Sequence, residues 1–333
     1  MSRTAELRPS QAIEGGANAD RQRLLHGLAL RERRTGINGV ETSLLECGDG
    51  PPLVLLHGGI ECGGVVWAPV IAQLSESHHV VIPDVPGLGE SRPVARLDGV
   101  AFDEWFGALL RATGAARPAL IAHSLMGTMA LRFAAQHPDA LSRLVVYGAP
   151  GVGPYRIPFA LRVAAILFSL RPSERNAERF DRLAFADFDR FRREEPGWMA
   201  AFSGYTRSRA RVKHVKRTMR QLIGSCTRQV PDAELRRIAV PTTLLWGRYD
   251  RFVPLTVAQE AGARFGWPVA VIEEAGHVPH IERSQAFLDV VDAILSGEPL
   301  AGDRSCGAEE LTRWTGLLAL EFVQTPDASV SDV

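Results

Sequence analysis

Long apolar runs, clustered cysteines and a net charge are the features that this sequence lacks. The 38 basic residues balance the 38 acidic ones, so no global field points to nucleic acid or to an anionic membrane. The four cysteines form no CxxC pair and no cluster with histidine, which argues against a disulfide framework and against a zinc site. They are Cys47, Cys62, Cys226 and Cys306.

The most apolar stretch, "IPFALRVAAILFSL" at 157–170, is too short to span a bilayer and contains Arg162. The first 23 residues are polar and lack the apolar core of a signal peptide. Hydrophobic content of 46% and charged content of 23% are ordinary for a globular protein. We therefore expect a soluble, cytoplasmic protein with neither a nucleic-acid nor a membrane partner.

Short apolar runs rich in β-branched residues recur along the chain, and most precede a helical pattern. This alternation is typical of a mostly parallel sheet covered by helices on both faces. The runs lie at 52–58, 79–84, 118–124, 143–150, 241–247 and 268–276. Residues 27–50, with turn signals at "NG" and "GDG", predict an antiparallel lead-in to this sheet.

The alternation stops between about 152 and 239, where helical stretches at 157–170, 173–195 and 208–223 replace the strands. We interpret 152–239 as a helical cap between two halves of a core, 38–151 and 240–297. Residues 1–37 form an N-terminal extension in this division. The last segment, 298–333, holds a linker and a tail helix whose apolar face could dock on the core or form a homodimer.

Chemistry-bearing residues stand at the ends of several predicted strands, where open α/β sheets collect their functional groups. Ser124 follows one strand, Asp250 a later one and His277 the last. A serine hydroxyl is a weak nucleophile that needs a histidine base oriented by a carboxylate. The order serine, acid, histidine is that of the α/β-hydrolase fold.

Five blocks in family order make the chain resemble a cap-bearing α/β-hydrolase over about residues 38–296. They are "LLHGG" (55–59), "PDVPGLGES" (83–91), "AHSLMG" (122–127), "LLWGRYDRFVP" (244–254) and "EEAGHVPHIE" (273–282). The resemblance implies Ser124 as nucleophile, Asp250 as the acid and His277 as general base. His280, His57 and His123 are then expected to be packing or hydrogen-bonding residues, and Asp84 and Ser91 to shape a loop.

An oxyanion hole is expected from two backbone N–H groups. One belongs to Leu125, directly after the nucleophile, and the other comes from the "HGG" loop, with Gly59 the first choice and Ile60 the second. Such glycines would equally serve a tight turn after a strand.

Two residues depart from the glycines that the family keeps around its nucleophile, namely Ala122 and Met126. Alanine adds one methyl group, whereas methionine adds four heavy atoms beside a sharp turn. The turn could be intact with Met126 packed away, it could be loosened, or the protein could be a non-catalytic relative. Gly127, one place later, could still allow the helix to approach the sheet closely.

The leading hypothesis is a serine hydrolase that cleaves an ester or related acyl substrate with an apolar portion, without a metal or organic cofactor. Its partner is then a small-molecule substrate. One alternative is a carbon–carbon bond hydrolase of the meta-cleavage type, although "HGGIECGG" lacks the Gly-Pro-Gly of many such relatives. An alternative of another class is a ligand-binding protein on a hydrolase scaffold.

Overall fold

A computed structural model describes residues 18–298, in which eight strands form one sheet in the order β1-β2-β4-β3-β5-β6-β7-β8. The β1–β2 hairpin is antiparallel and joins β4 in antiparallel register, whereas β3 to β8 are parallel. The strands are β1 Arg31–Ile37, β2 Val40–Cys47, β3 Pro52–Leu56, β4 His79–Pro83, β5 Ala119–His123, β6 Arg143–Tyr147, β7 Thr242–Gly247 and β8 Val269–Ile272.

The central strands are buried on both faces, because helices cover each side of the sheet. The last four residues of β3, β4, β5 and β6 are all buried. Continuous apolar runs are what a parallel sheet between two helical layers requires. This is the predicted α/β architecture with a mostly parallel sheet, and it brings the carboxyl ends of β3 and β5 to β8 to one edge.

Helices connect and cover these strands. The helices that we number are α1 Ala68–Ser77, α2 Gly99–Ala112, α3 Ser124–Gln136, α4 Phe159–Leu170, α5 Glu174–Ala184, α6 Phe188–Glu194, α7 Pro196–Ala210, α8 Lys213–Cys226, α9 Asp232–Leu235, α10 Leu255–Phe265, α11 Pro279–Glu282 and α12 Ser284–Ser296. Helices α4 to α8 lie between β6 and β7, in the segment where the sequence predicts helices and no strand.

Two of the predicted helices are divided in the structure. The stretch 173–195 contains α5 and α6, because Asp187 interrupts the helix and its side chain accepts a hydrogen bond from the Arg190 N–H at 2.9 Å. The stretch 208–223 spans the end of α7 and the start of α8. Helix α7 begins at Pro196, a residue that fits the first helical position because no N–H is needed there.

Of the two predicted end segments, only the N-terminal one overlaps the described residues enough to be compared with the structure. The predicted N-terminal extension, 1–37, includes β1, so its boundary falls within the β1–β2 hairpin. The predicted tail helix lies outside the described residues. Within 18–298, none of the helices combines the length and the apolar character that crossing a bilayer would demand.

Candidate active site

Ser124 stands at the junction of β5 and α3 with a left-handed backbone, φ +53°. This conformation is uncommon for a residue other than glycine, and it is typical of sharp turns at functional sites. The turn lifts the serine side chain from the edge of the sheet into a pocket that it helps to line. Such geometry is that of an intact strand-to-helix elbow.

Met126, two residues after the serine, is packed in the core. Its side chain is fully buried in the core between the sheet and the helices, where Ala122 is buried too. An unbranched thioether chain adapts to such gaps. Close approach of α3 to the sheet occurs at Gly127, where a Cβ would stand 2.8 Å from the Ala149 Cβ.

The side chains of Ser124, His277 and Asp250 form a continuous chain of hydrogen bonds. The His277 Nε2 atom lies 2.9 Å from Ser124 Oγ, and its Nδ1 atom lies 2.9 Å from Asp250 Oδ2. The other carboxylate oxygen accepts hydrogen bonds from the N–H groups of Phe252 (2.7 Å) and Val253 (2.9 Å). An acceptor-only carboxylate makes Nδ1 the protonated nitrogen, which leaves Nε2 free to accept the serine proton.

Asp250 and His277 reach this position from the same edge of the sheet. Asp250 follows β7 and His277 follows β8, and both are buried, at 7% and 4% exposed. The His277 N–H donates to the Ala184 carbonyl at 2.7 Å, which fixes its loop against the end of α5. The Phe252 ring packs on the imidazole with 4.4 Å between ring centroids.

Two backbone N–H groups near Ser124 have no acceptor among the described residues, those of Gly59 and Leu125. The Leu125 N–H lies in the first turn of α3, where helices leave their N–H groups unpaired. The Ile60 N–H donates to the Gly58 carbonyl at 2.8 Å, so it is already occupied. Gly59 is therefore better placed than Ile60 to bind a developing oxyanion.

His57 links the loop after β3 to the loop after β4. Its Nε2 accepts a hydrogen bond from the Val85 N–H at 3.0 Å, so Nδ1 carries the proton and donates to the Gly58 carbonyl at 2.7 Å. Burial lowers the pKa of His57 to about 4, which keeps it neutral. This histidine has the hydrogen-bonding role that the sequence predicts for it.

His123 and His280 belong to a buried aromatic cluster behind the candidate base. His123 donates from Nε2 to the His277 carbonyl at 2.9 Å and stacks on Tyr147, with ring centroids 4.4 Å apart. The Tyr147 hydroxyl lies 3.0 Å from His280 Nδ1. Burial lowers the pKa of both histidines, that of His280 to about 3. Neither imidazole hydrogen-bonds to Ser124.

Asp84 and Ser91 organise the loop after β4, as the sequence predicts. The Asp84 carboxylate accepts from the N–H groups of Gly64 (2.6 Å) and Glu90 (2.8 Å). Ser91 Oγ donates to the Asp84 carbonyl at 2.7 Å. Burial raises the pKa of Asp84 to about 6 although these hydrogen bonds oppose the shift.

A pocket of about 400 Å³ opens over Ser124 between the core and helices α4, α5, α7 and α8. Its wall is mainly apolar, and the segment 157–170 contributes to it. Apolar and aromatic side chains that line it include Leu161, Ala165, Phe168, Phe180, Phe202 and Val278. Such a pocket suits a substrate with an apolar portion.

Sequence reasoning missed two acidic residues in this pocket, Glu61 and Asp181. Burial raises the pKa of each carboxyl to about 7. In the sequence Glu61 follows the "HGG" loop without any motif of its own, and Asp181 lies in a run of alternating charges, on α5. No sequence signal predicts that both line one pocket, because this depends on where α5 packs.

Comparison with known proteins identifies the class. The model of the alpha/beta hydrolase fold family matches residues 51–284, and the chain belongs to this family. It is therefore an enzyme of the hydrolase class, as its sequence resemblance implies.

Named relatives include hydrolases of two kinds. The chain is 29% identical over 282 residues to the 2-hydroxy-6-oxo-2,4-heptadienoate hydrolase of Pseudomonas putida, covering 78% of this chain and 94% of the relative. It is 27% identical over 268 residues to the pimeloyl-[acyl-carrier protein] methyl ester esterase of Aliivibrio salmonicida, covering 75% and 94%. The fold resembles that of a carboxylesterase from Bacillus subtilis (TM-score 0.71, 20% identity, 87% and 99% covered).

Proposed function

We propose that this protein is a serine hydrolase that cleaves an ester or related acyl substrate with an apolar portion through an acyl-enzyme. The observation that carries the proposal is the chain of two 2.9 Å contacts from Ser124 Oγ through His277 to Asp250. Helices α4 to α8 act as a cap domain, in which α4, α5, α7 and α8 line the substrate pocket. The site residues are Ser124 as nucleophile, His277 as general base and Asp250 as the acid that orients it.

Acylation begins when His277 Nε2 accepts the Ser124 proton as Oγ attacks the substrate carbonyl carbon. The carbonyl oxygen becomes an oxyanion, which the N–H groups of Gly59 and Leu125 stabilise by hydrogen bonds. The imidazolium then protonates the leaving alkoxide, the C–O bond breaks, and the acyl group remains on Ser124. Asp250 holds Nδ1–H and stabilises the imidazolium throughout.

Deacylation repeats these steps with water as the nucleophile. His277 takes a proton from water, the hydroxide attacks the acyl carbon, and the same two N–H groups bind the second oxyanion. Collapse returns the proton to Ser124 Oγ and releases the carboxylic acid. No step requires a metal or an organic cofactor.

The named relatives supply a second candidate, hydrolysis of a carbon–carbon bond in a ring-fission product. The most identical named relative above is a 2-hydroxy-6-oxo-2,4-heptadienoate hydrolase, and this chemistry would use the same Ser124 and His277. We rank it second, because the "HGGIECGG" loop lacks the Gly-Pro-Gly of many such relatives. Turnover of a 2-hydroxy-6-oxo-dienoate well above that of esters would reverse the order.

A series of p-nitrophenyl esters of increasing acyl length tests the proposal. Wild-type protein should release p-nitrophenol with a burst equal to the enzyme concentration, and Ser124→Ala should show no burst. Wild-type protein that neither turns over any ester nor reacts with a fluorophosphonate probe would instead fit the third hypothesis, a ligand-binding protein on this scaffold.

A further inference from the structure

The loop that carries the candidate base is bound to the end of α5. The His277 N–H donates a hydrogen bond to the Ala184 carbonyl at 2.7 Å. At the preceding residue the two backbones lie in contact, since a Cβ on Gly276 would stand 2.8 Å from the Ala186 nitrogen and 2.9 Å from the Phe185 carbonyl carbon. Only glycine allows so close an approach, so the loop and the end of α5 are fixed to each other.

Glu282, the last residue of α11, joins the same two segments with its side chain. One carboxyl oxygen accepts a hydrogen bond from the Gly276 N–H at 2.8 Å, and the other accepts one from the Ala186 N–H at 2.6 Å. The residue is only 8% exposed. Burying a carboxyl group is costly unless it is hydrogen-bonded, so these two N–H groups determine where the side chain lies. Glu282 thus bridges the loop of the base and the cap.

The loop after β7 reaches α5 as well. Arg251, directly after the candidate acid, donates from its guanidinium to the Arg182 carbonyl at 3.0 Å. Phe252 lies between α5 and the base, with its ring centroid 5.1 Å from that of Phe180 and 4.4 Å from that of His277. Phe180 is also part of the pocket wall. Helix α5 therefore contacts the loops of the candidate acid and the candidate base, and it lines the pocket.

We propose that Glu282 is a positioning residue, which holds the loop of His277 against the cap and so keeps Nε2 at the Ser124 hydroxyl. The N–H groups of two successive residues, 276 and 277, are bound by Glu282 and by the end of α5, which fixes the direction in which the imidazole leaves the backbone. A general base displaced by about 1 Å loses much of its effect. The inference rests on the proposed function, since it concerns the general base of that reaction.

Glu282→Gln tests this role, because an amide has one acceptor oxygen where the carboxyl group has two. The new NH₂ group must face the N–H of either Gly276 or Ala186, and one of the two hydrogen bonds is lost. We expect kcat for p-nitrophenyl esters to fall about 10- to 100-fold. Acylation and deacylation both use His277, and the described wall of the pocket does not include Glu282. The KM should therefore change less than about threefold.

Glu273→Gln is the matched control. Glu273 is an acidic residue of the same loop after β8, but it is exposed and pairs with Arg248 on the surface. Since a surface ion pair contributes little, this change should leave kcat and KM within about twofold of wild type. Unchanged kcat in Glu282→Gln would overturn the proposal.

Ala186→Pro tests the other end of the same contact with Glu282 intact, including the case in which Glu282→Gln does not fold. Proline lacks the N–H, and the extended backbone of Phe185 (φ −88°, ψ 146°) is what a residue before proline requires. The change should lower kcat as Glu282→Gln does. In the double variant the single amide oxygen can face Gly276, so the combined loss should not exceed the larger single loss. Losses that multiply would show that the two residues act separately and would overturn the proposal.

The proton on His277 Nδ1 reports the position of the imidazole without turnover. Because it lies between Nδ1 and Asp250 Oδ2, which are 2.9 Å apart, it should give a downfield ¹H NMR resonance that Asp250→Asn eliminates. Glu282→Gln and Ala186→Pro should shift or broaden this resonance, and Glu273→Gln should not. A lowered kcat with an unshifted resonance would overturn the positioning role. If the wild type hydrolyses no ester, the proposed function fails, and the resonance still tests whether Glu282 positions His277.

Discussion

The backbone of Gly127 lies against the side chain of Ala149, so closely that a Cβ at position 127 would stand 2.8 Å from the Ala149 Cβ. That Cβ would also lie 3.0 Å from Val146 Cγ1 and 3.2 Å from the Ala122 carbonyl oxygen. Helix α3 thus approaches β5 and β6 at Gly127, one turn after the serine that it carries.

Gly127→Ala should push the start of α3 away from the sheet and misplace Ser124. We expect kcat/KM for p-nitrophenyl esters to fall about 100-fold, because a nucleophile displaced by less than an ångström loses its alignment. Gly107→Ala is the control, since a Cβ at that position in α2 meets nothing closer than 3.6 Å. Unchanged activity of Gly127→Ala would show that the close contact does not position Ser124.

Met126→Ala should lower the free energy of unfolding without raising the rate of ester hydrolysis. The side chain is fully buried, so its truncation should lower the free energy of unfolding by about 2–5 kcal/mol in urea titrations. Met126→Leu conserves volume and should cost less than about 1.5 kcal/mol. A large gain in rate for Met126→Gly would instead indicate that methionine loosens the turn.

Asp250→Asn should reverse the tautomer of His277. The N–H groups of Phe252 and Val253 fix an acceptor at the Oδ1 position, so the new amide NH₂ would face Nδ1. The imidazole must then carry its proton on Nε2 and can no longer accept the one from Ser124. We expect kcat to fall about 10³–10⁴-fold with little change in thermal stability. A loss below about tenfold would contradict the role of Asp250.

The buried His280 should make stability depend on pH. Burial, with the nearby His277, lowers its pKa to about 3, whereas an unfolded chain gives about 6.5. Below pH 6.5 the unfolded chain therefore binds a proton that folded His280 does not. The free energy of unfolding consequently decreases as the pH is lowered. Between pH 7 and 5 the wild type should lose about 1–2 kcal/mol more than His280→Asn. The same loss in free energy of unfolding for both proteins, measured by urea titration at each pH, would refute this.

The sequence predicts the sheet and the site geometry because both depend on local patterns. Continuous apolar strands place Ser124, Asp250 and His277 at one edge, and the family blocks mark the turns that carry them. Contacts that depend on packing between distant segments are not predicted by such patterns. The contact of His280 with Tyr147 spans 133 residues, and no motif in the sequence predicts it.

The segment 152–239 is harder to predict than the sheet, since its helices are joined without strands or family blocks. Pro196 and Gly197 resemble a helix break, yet proline at the first helical position starts α7. Asp187 divides a continuous helical pattern by capping α6. Asp181 lines the same pocket as Glu61 only through the placement of α5, which its own sequence does not specify.

Formation of an acyl-enzyme on Ser124 is tested most directly by intact-protein mass spectrometry after rapid acid quench of a p-nitrophenyl ester reaction. Wild type should gain the mass of one acyl group, peptide mapping should place it on Ser124, and Ser124→Ala should gain none. Turnover without any adduct, or an adduct that persists in Ser124→Ala, would contradict the assignment of Ser124 as the nucleophile.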